Sequence, residues 1–250
     1  MTDYLASIPY ELKEAIRTQK LITFVGAGLS YEIKNRQGQK IKGWKNMVVQ
    51  LLEHLNKSVE LNHLIPLLDK YDPIDVLHLI EKDNSISKQK IYDFMKDFFD
   101  LDEEGNDYSL HKDISRLTNK IITTNYDGAF EIASPILRKF KAYKGKNYEL
   151  TKHKDAEAKL LFKLHGCYED SDSMVIFPTN YDALYNNPTN KDAEHSLLVL
   201  NSIIAQYSLL IVGAGMGDHQ INTLFRELKN IEGGYAKGTT SLRPRLSIAV

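Results

Sequence analysis

Four short segments of the chain hold residue types that could act together on a phosphate- and sugar-bearing ligand. Gly26-Ala27-Gly28-Leu29-Ser30 follows an apolar run, and two glycines at that spacing allow a tight turn whose backbone N–H groups approach a pyrophosphate. A plain strand-to-helix turn would use the same residues. The dinucleotide fingerprint asks for a third glycine, where Tyr31 stands, and for an acid about twenty residues on, where none lies, so an ordinary Rossmann dehydrogenase is disfavoured. Thr123-Thr124-Asn125-Tyr126-Asp127-Gly128 sets an amide beside a carboxylate, a pair that can hold sugar hydroxyls or a water and that also reads as an Asx-Gly turn. Leu164-His165-Gly166 puts an imidazole that titrates near neutrality next to a residue permitting close backbone approach. With eight histidines in the chain, a purely structural role for this one is the simpler alternative. Val212-Gly213-Ala214-Gly215-Met216-Gly217-Asp218 repeats the glycine turn, with Asp218 placed to cap a following helix.

Chemistry at these points requires strands that deliver them to one place. Short apolar runs predict strands at 21–25, 120–124, 159–164, 174–177 and 208–212, with another at 245–250. Most are apolar on both faces, the mark of a parallel sheet covered by helices, and each segment described above then sits at a strand's carboxyl end. Helices are predicted at 9–20, 192–206 and 219–231. From Trp44 to about Thr118 the periodicity is helical throughout: Val48, Leu51, Leu52 and Leu55; Ile74, Leu77 and Ile80; Ile91, Phe94, Met95 and Phe98; Leu110, Ile114 and Leu117. The expected fold is α/β, a Rossmann-like doubly wound parallel sheet with a helical insertion at about 44–118, in one domain spanning 1–250.

Composition narrows the partners. Lys+Arg at 32 against Asp+Glu at 33 leaves a net charge of -1, so no global field draws the chain to nucleic acid or an anionic membrane, and direct nucleic-acid binding is not expected. The basic stretch 138–154 reads as a solvated loop, and the acidic stretch 93–107 as a helix end followed by an exposed loop. A single cysteine, Cys167, excludes an intrachain disulfide and any zinc site needing two cysteines of this chain; the apolar strand before it favours a packed thiol. No run of about 20 apolar residues is present to span a membrane, so a cytoplasmic setting is expected.

Taken in order along one parallel sheet, the four segments resemble the sirtuin-like NAD-consuming family, over about residues 21–250. In that family a G-A-G-x-S loop wraps the NAD+ pyrophosphate, and a T-x-N-x-D segment sets an Asn and an Asp at the nicotinamide ribose. A His-Gly pair supplies the essential His, and a later glycine turn holds the adenosine side. The resemblance implies that Asn125 orients water or ribose hydroxyls, His165 acts as general base, and Asp127 fixes local geometry or the developing charge. It implies NAD+ contacts from Gly26, Ala27, Gly28, Ser30, Thr124, Gly213, Gly215 and Asp218, and no metal. Protein-deacylating sirtuins continue the first loop as G-I-P-D-F-R and carry a four-cysteine zinc module; here Tyr31-Glu32-Ile33-Lys34-Asn35-Arg36 follows and one cysteine exists. With Trp44 opening the insertion and Asp218 after the last turn, the chain is similar to the bacterial branch that hydrolyses NAD+ in antiviral defence. The activity so implied is an NAD+ glycohydrolase yielding nicotinamide and ADP-ribose. The alternatives are an NAD-dependent deacylase or ADP-ribosyltransferase, and a non-catalytic module sensing an NAD derivative. The same branch implies a homo-oligomer and an activating protein partner or phage-derived trigger.

Overall fold

Runs too short for helices, most of them too apolar to face water on either side, form an all-parallel sheet of six strands in the computed structural model, which describes residues 8–56, 61–142, 159–185, 191–214 and 246–248. The strands are β1 Leu21–Val25, β2 Lys120–Thr123, β3 Arg138–Lys141, β4 Leu160–Lys163, β5 Ser208–Val212 and β6 Leu246–Ile248, in the order β3-β4-β2-β1-β5-β6. After β1 the chain proceeds to β2 on one side and later returns to β5 on the other. The gap above β1 and β5 is therefore the topological switch point, where ligands of open α/β sheets bind. Val25 lies opposite both Thr123 and Val212, and Thr123 opposite Lys163, so the carboxyl ends of four strands are level. Asn125 and His165 each stand two residues past that line on adjacent strands.

The helices are α1 Tyr10–Arg17, α2 Trp44–Leu55, α3 Pro73–Lys82, α4 Lys88–Phe99, α5 Ser109–Leu117, α6 Ala129–Ala133, α7 Pro178–Tyr185 and α8 Lys191–Ile204. On one sheet face Ile22, Phe24, Ile122, Phe162 and Ile211 pack under Tyr181 and Leu184 of α7 and Leu200 and Ile203 of α8. The other face packs Val25, Ile121 and Leu161 on Phe130 of α6, and Leu21 and Leu210 on Ala15 of α1. Between β1 and β2, helices α2–α4 bury a separate core that is continuous with Tyr126, Met174, Ile176 and Phe177, so those helices rest on the loops that follow β2 and β4. Local chemistry sets their ends: Asp72 caps α3, its carboxylate accepting from Ile74 N at 3.0 Å, with Pro73 in the first turn.

Three sequence expectations are corrected. Residues 174–177 are not a strand; Val175 N donates to His165 O at 2.9 Å, and the N–H groups of Ile176 and Phe177 donate to Asn180 Oδ1 at 3.3 and 3.0 Å. A side-chain acceptor thus replaces the ladder, and the four side chains are buried all the same. Residues 138–141, expected in a solvated loop, form β3, whose Phe140 is buried while Arg138 is exposed. On α5 the expected inward residue Leu110 is 62% exposed, and His111 is buried instead. Helix α7 was not anticipated. The expected helix 219–231, most of the basic stretch 138–154, Gly215 and Asp218 lie outside the described residues. Among the described residues no helix is long and apolar enough to cross a membrane.

Candidate active site

The wall at the switch point is made by two glycine turns in backbone contact. Past β1, Gly26 leads into a 3-10 turn, Ala27–Ser30; Gly26 N donates to Val212 O at 3.0 Å and Gly28 N to Gly213 O at 2.8 Å. A Cβ on Gly26 would lie 2.4 Å from Ala214 Cα, and one on Gly28 2.8 Å from Gly213 O. Gly213 has φ +63°, and its Cβ would meet Leu29 N at 2.5 Å. Only glycine permits this approach. The N–H groups of Gly26 and Gly28, expected to face a pyrophosphate, are instead turned toward β5.

Asn125 is held against this wall. Thr123 Oγ1 donates to Val25 O at 2.9 Å and accepts from Asn125 N at 3.0 Å, and Thr124 N donates to Val25 O at 3.3 Å, so the exit of β2 is tied to β1. The Asn125 amide nitrogen donates to Gly26 O at 3.2 Å and to Ser30 Oγ at 3.4 Å. A carbonyl oxygen only accepts, so Nδ2 must face Gly26 and Oδ1 must face away as an acceptor. Asp127 Oδ1 accepts from Ala129 N at 3.0 Å and starts α6. Beneath the loop, Lys163 is buried at the end of β4; it donates to Tyr126 O at 3.2 Å, to Asp127 O, and to Glu131 Oε1 at 3.3 Å. Burial opposes the ammonium charge, but the Glu131 and Asp127 carboxylates outweigh it and hold the lysine pKa above its ordinary value.

His165 stands at the equivalent position of β4. The following Gly166 has φ +87°, and its Cβ would meet Ser173 O at 2.1 Å, so the turn closes only on glycine. The ring is 3% exposed, with Nε2 2.9 Å from Tyr185 Oη and its plane edge-on to Tyr181 at 5.0 Å. Both tyrosines come from α7 and were missed in the sequence, because nothing in 178–185 marks them as site residues. Cys167 is buried with Sγ 3.6 Å from Lys139 Nζ, and burial pushes the thiol pKa up, as suits a packed, unreactive residue.

A second imidazole was missed as well. His111 Nε2 lies 3.3 Å from Ser30 Oγ, and the ring is edge-on to Phe130 at 5.0 Å. Tyr126, between Asn125 and Asp127, points the other way: its ring stacks on Trp44 at 6.1 Å and contacts Phe99 at 5.4 Å, and its hydroxyl donates to Val175 O at 2.6 Å. Gly26, Ala27, Gly28, Ser30, Thr124, Asn125, Asp127 and Gly213 are thus gathered at one sheet edge, with His165 on the neighbouring strand. An acceptor amide, a carboxylate and an imidazole beside a glycine wall can orient a hydroxyl, stabilise positive charge and move a proton.

Residues 119–245 match the family described as SIR2-like domain. The chain is also 25% identical over 229 residues, 89% of its length, to Defense-associated sirtuin 2 of Bacillus subtilis, and spans 20% of that relative.

Proposed function

The chain belongs to the SIR2-like domain family, and we propose that it is an NAD+ glycohydrolase releasing nicotinamide and ADP-ribose. The observation that carries this reading is the Asn125 amide, locked by Gly26 O so that Oδ1 faces away from the wall at the switch point. The residues suit a dinucleotide: a wall that excludes any Cβ, a buried hydroxyl at Ser30, and an amide, a carboxylate and an imidazole at neighbouring strand ends. The nicotinamide of NAD+ is already cationic, so its departure needs no added proton, and the protein's tasks are to stabilise positive charge at the ribose and to present water. Asn125 Oδ1 orients that water or the ribose hydroxyls. Asp127 fixes the loop and sets its negative charge beside the site, and His165 takes a proton from a ribose hydroxyl or from the water. Gly26, Ala27, Gly28, Ser30 and Thr124 line the phosphate side; Gly213, with Gly215 and Asp218, serves the adenosine side.

Residues 1–250 form one catalytic unit in this reading, with α2–α5 as its insertion. The single cysteine weighs against a zinc-bearing deacylase. Likeness to a defence-associated sirtuin supports a role in defence; the form we propose for it is NAD+ depletion against phage in the cytoplasm, by a homo-oligomer responding to a protein or phage-derived trigger. The test is nicotinamide release from NAD+ by the purified chain, with and without proteins from phage-infected cells, beside Asn125→Ala. Release abolished by the substitution supports the reading. ADP-ribose binding without release under any condition overturns it in favour of a sensing module.

A further inference from the structure

Helix α5 is folded against its own hydrophobic pattern. Leu110 is 62% exposed, whereas His111 and Ser115, one turn apart, are buried at 1% and 6%. The helix forgoes the burial of a leucine to bring an imidazole inside. Ser115 satisfies itself, its hydroxyl donating to His111 O at 2.8 Å. His111 does not: Nε2 reaches Ser30 Oγ at 3.3 Å, and Ser30 Oγ in turn lies 3.4 Å from Asn125 Nδ2. An amide nitrogen only donates, so the Ser30 oxygen accepts from Asn125. A hydroxyl donates once and can accept twice, so Ser30 is able to give its one hydrogen to His111 Nε2 while accepting from Asn125, which places the ring proton on Nδ1; the other tautomer would donate from Nε2 to the same oxygen.

We propose that His111 is a positioning residue for Asn125: by accepting the Ser30 proton through Nε2 it fixes Ser30 as the acceptor that, with Gly26 O, holds the amide with Oδ1 toward the ligand. The role rests on the reading of Asn125 as the residue that orients water or ribose. The ring cannot easily turn, being wedged edge-on between Phe130 at 5.0 Å and Tyr108 at 6.2 Å. Its Nδ1 has no hydrogen-bond partner among the described residues; the neutral Nδ1–H ring leaves that one donor unanswered, and a doubly protonated ring would add a buried charge to it. The groups facing it are the Asp127 carboxylate from the loop before α6, the Tyr108 ring at the start of its own helix, and the uncharged Ser30 and Phe130. Burial outweighs the attraction of Asp127 and holds the His111 pKa below its ordinary 6.5. Neutral His111 is therefore the working form near pH 7, and the positioning is lost as pH falls.

Nitrogen-15 histidine spectra of the full chain, with steady-state nicotinamide release, test this. At neutral pH His111 is expected as the neutral Nδ1–H tautomer, and Ser30→Ala, which removes the hydroxyl without touching α5, is expected to shift that tautomer balance. His111→Leu should lower kcat about tenfold with KM nearly unchanged, the loss of one hydrogen bond, and His111→Gln, whose amide oxygen can take the Ser30 proton, should restore most of it. A charged or Nε2–H imidazole at neutral pH, or a tautomer indifferent to Ser30→Ala, overturns the proposal, as does parental kcat in His111→Leu. If the parental chain releases no nicotinamide either alone or with proteins from phage-infected cells, the glycohydrolase reading falls, while the tautomer measurement still decides the placement of His111.

Discussion

Asn125→Ala removes two donor contacts and one acceptor, and the two kinds of loss separate in the laboratory. The donors serve Gly26 O at 3.2 Å and Ser30 Oγ at 3.4 Å, in a place where Asn125 is 8% exposed. Both bonds are long, so their joint loss, with two acceptors left poorly answered, costs about 2 kcal/mol of stability. For a chain of this length that lowers Tm by roughly 6 °C. In the proposed reaction the acceptor Oδ1 matters only when charge develops or water attacks, so its loss should cost about 10²–10³ in kcat with KM within about threefold. The assay pairs a thermal melt and ADP-ribose calorimetry with nicotinamide release over a range of NAD+ concentrations. Asn125→Asp is the companion, keeping the shape while turning an oxygen toward Gly26 O, and should melt at least as low. Parental kcat in Asn125→Ala, whatever its Tm, would refute the role assigned to the amide.

Tyr185→Phe removes the hydroxyl 2.9 Å from His165 Nε2 while leaving the ring on Tyr181; it should change kcat by about threefold to tenfold and move its pH profile, with little change in Tm. An unaltered profile would separate Tyr185 from the chemistry. Gly213→Ala forces a Cβ to 2.5 Å from Leu29 N at φ +63° and should cost about 2 kcal/mol or more while weakening ADP-ribose binding. Parental melting and affinity would show that the two turns can part freely. NAD+ turnover per chain is expected to rise with protein concentration or with an added phage-derived protein, and brisk turnover by dilute monomer, indifferent to both, would exclude control by assembly.

The strand ends were legible because runs buried on both faces leave little choice. β1 and β5 begin and end where their apolar runs do, and β2 and β4 differ from expectation by a residue at one or both ends. The glycine turns, Asn125 and His165 followed from those ends. Residues 174–177 were misread because hydrophobicity records burial and not hydrogen bonding: Asn180 Oδ1 and His165 O supply the acceptors that a neighbouring strand would have supplied. β3 was hidden because three of its four residues are basic, and only Phe140 needs the interior. His111 was hidden by Leu110, the residue that a period of 3.6 would bury; its hydrogen-bond partner Ser30 lies 81 positions away, beyond the reach of a local pattern.

Asn125-Tyr126-Asp127, just past the end of β2, is a junction between two parts of the fold. Asn125 bonds to the glycine wall and Asp127 accepts from Ala129 N at the start of α6, while the Tyr126 side chain between them leaves in another direction. It goes into the core of α2–α4, between Trp44 and Phe99, and is anchored by the bond to Val175 O. The backbone of the same three residues is gripped from below by Lys163 through the carbonyls of Tyr126 and Asp127. With the carbonyls fixed and the tyrosine ring packed, a displacement of α2 or α4 has few ways to be absorbed except by rotating the peptide planes on either side of Tyr126. Those planes carry Asn125 and Asp127, so the insertion and the proposed catalytic pair share one mechanical element. Tyr126→Ala should therefore impair nicotinamide release by more than its loss of packing alone explains, although the tyrosine itself faces away from the site.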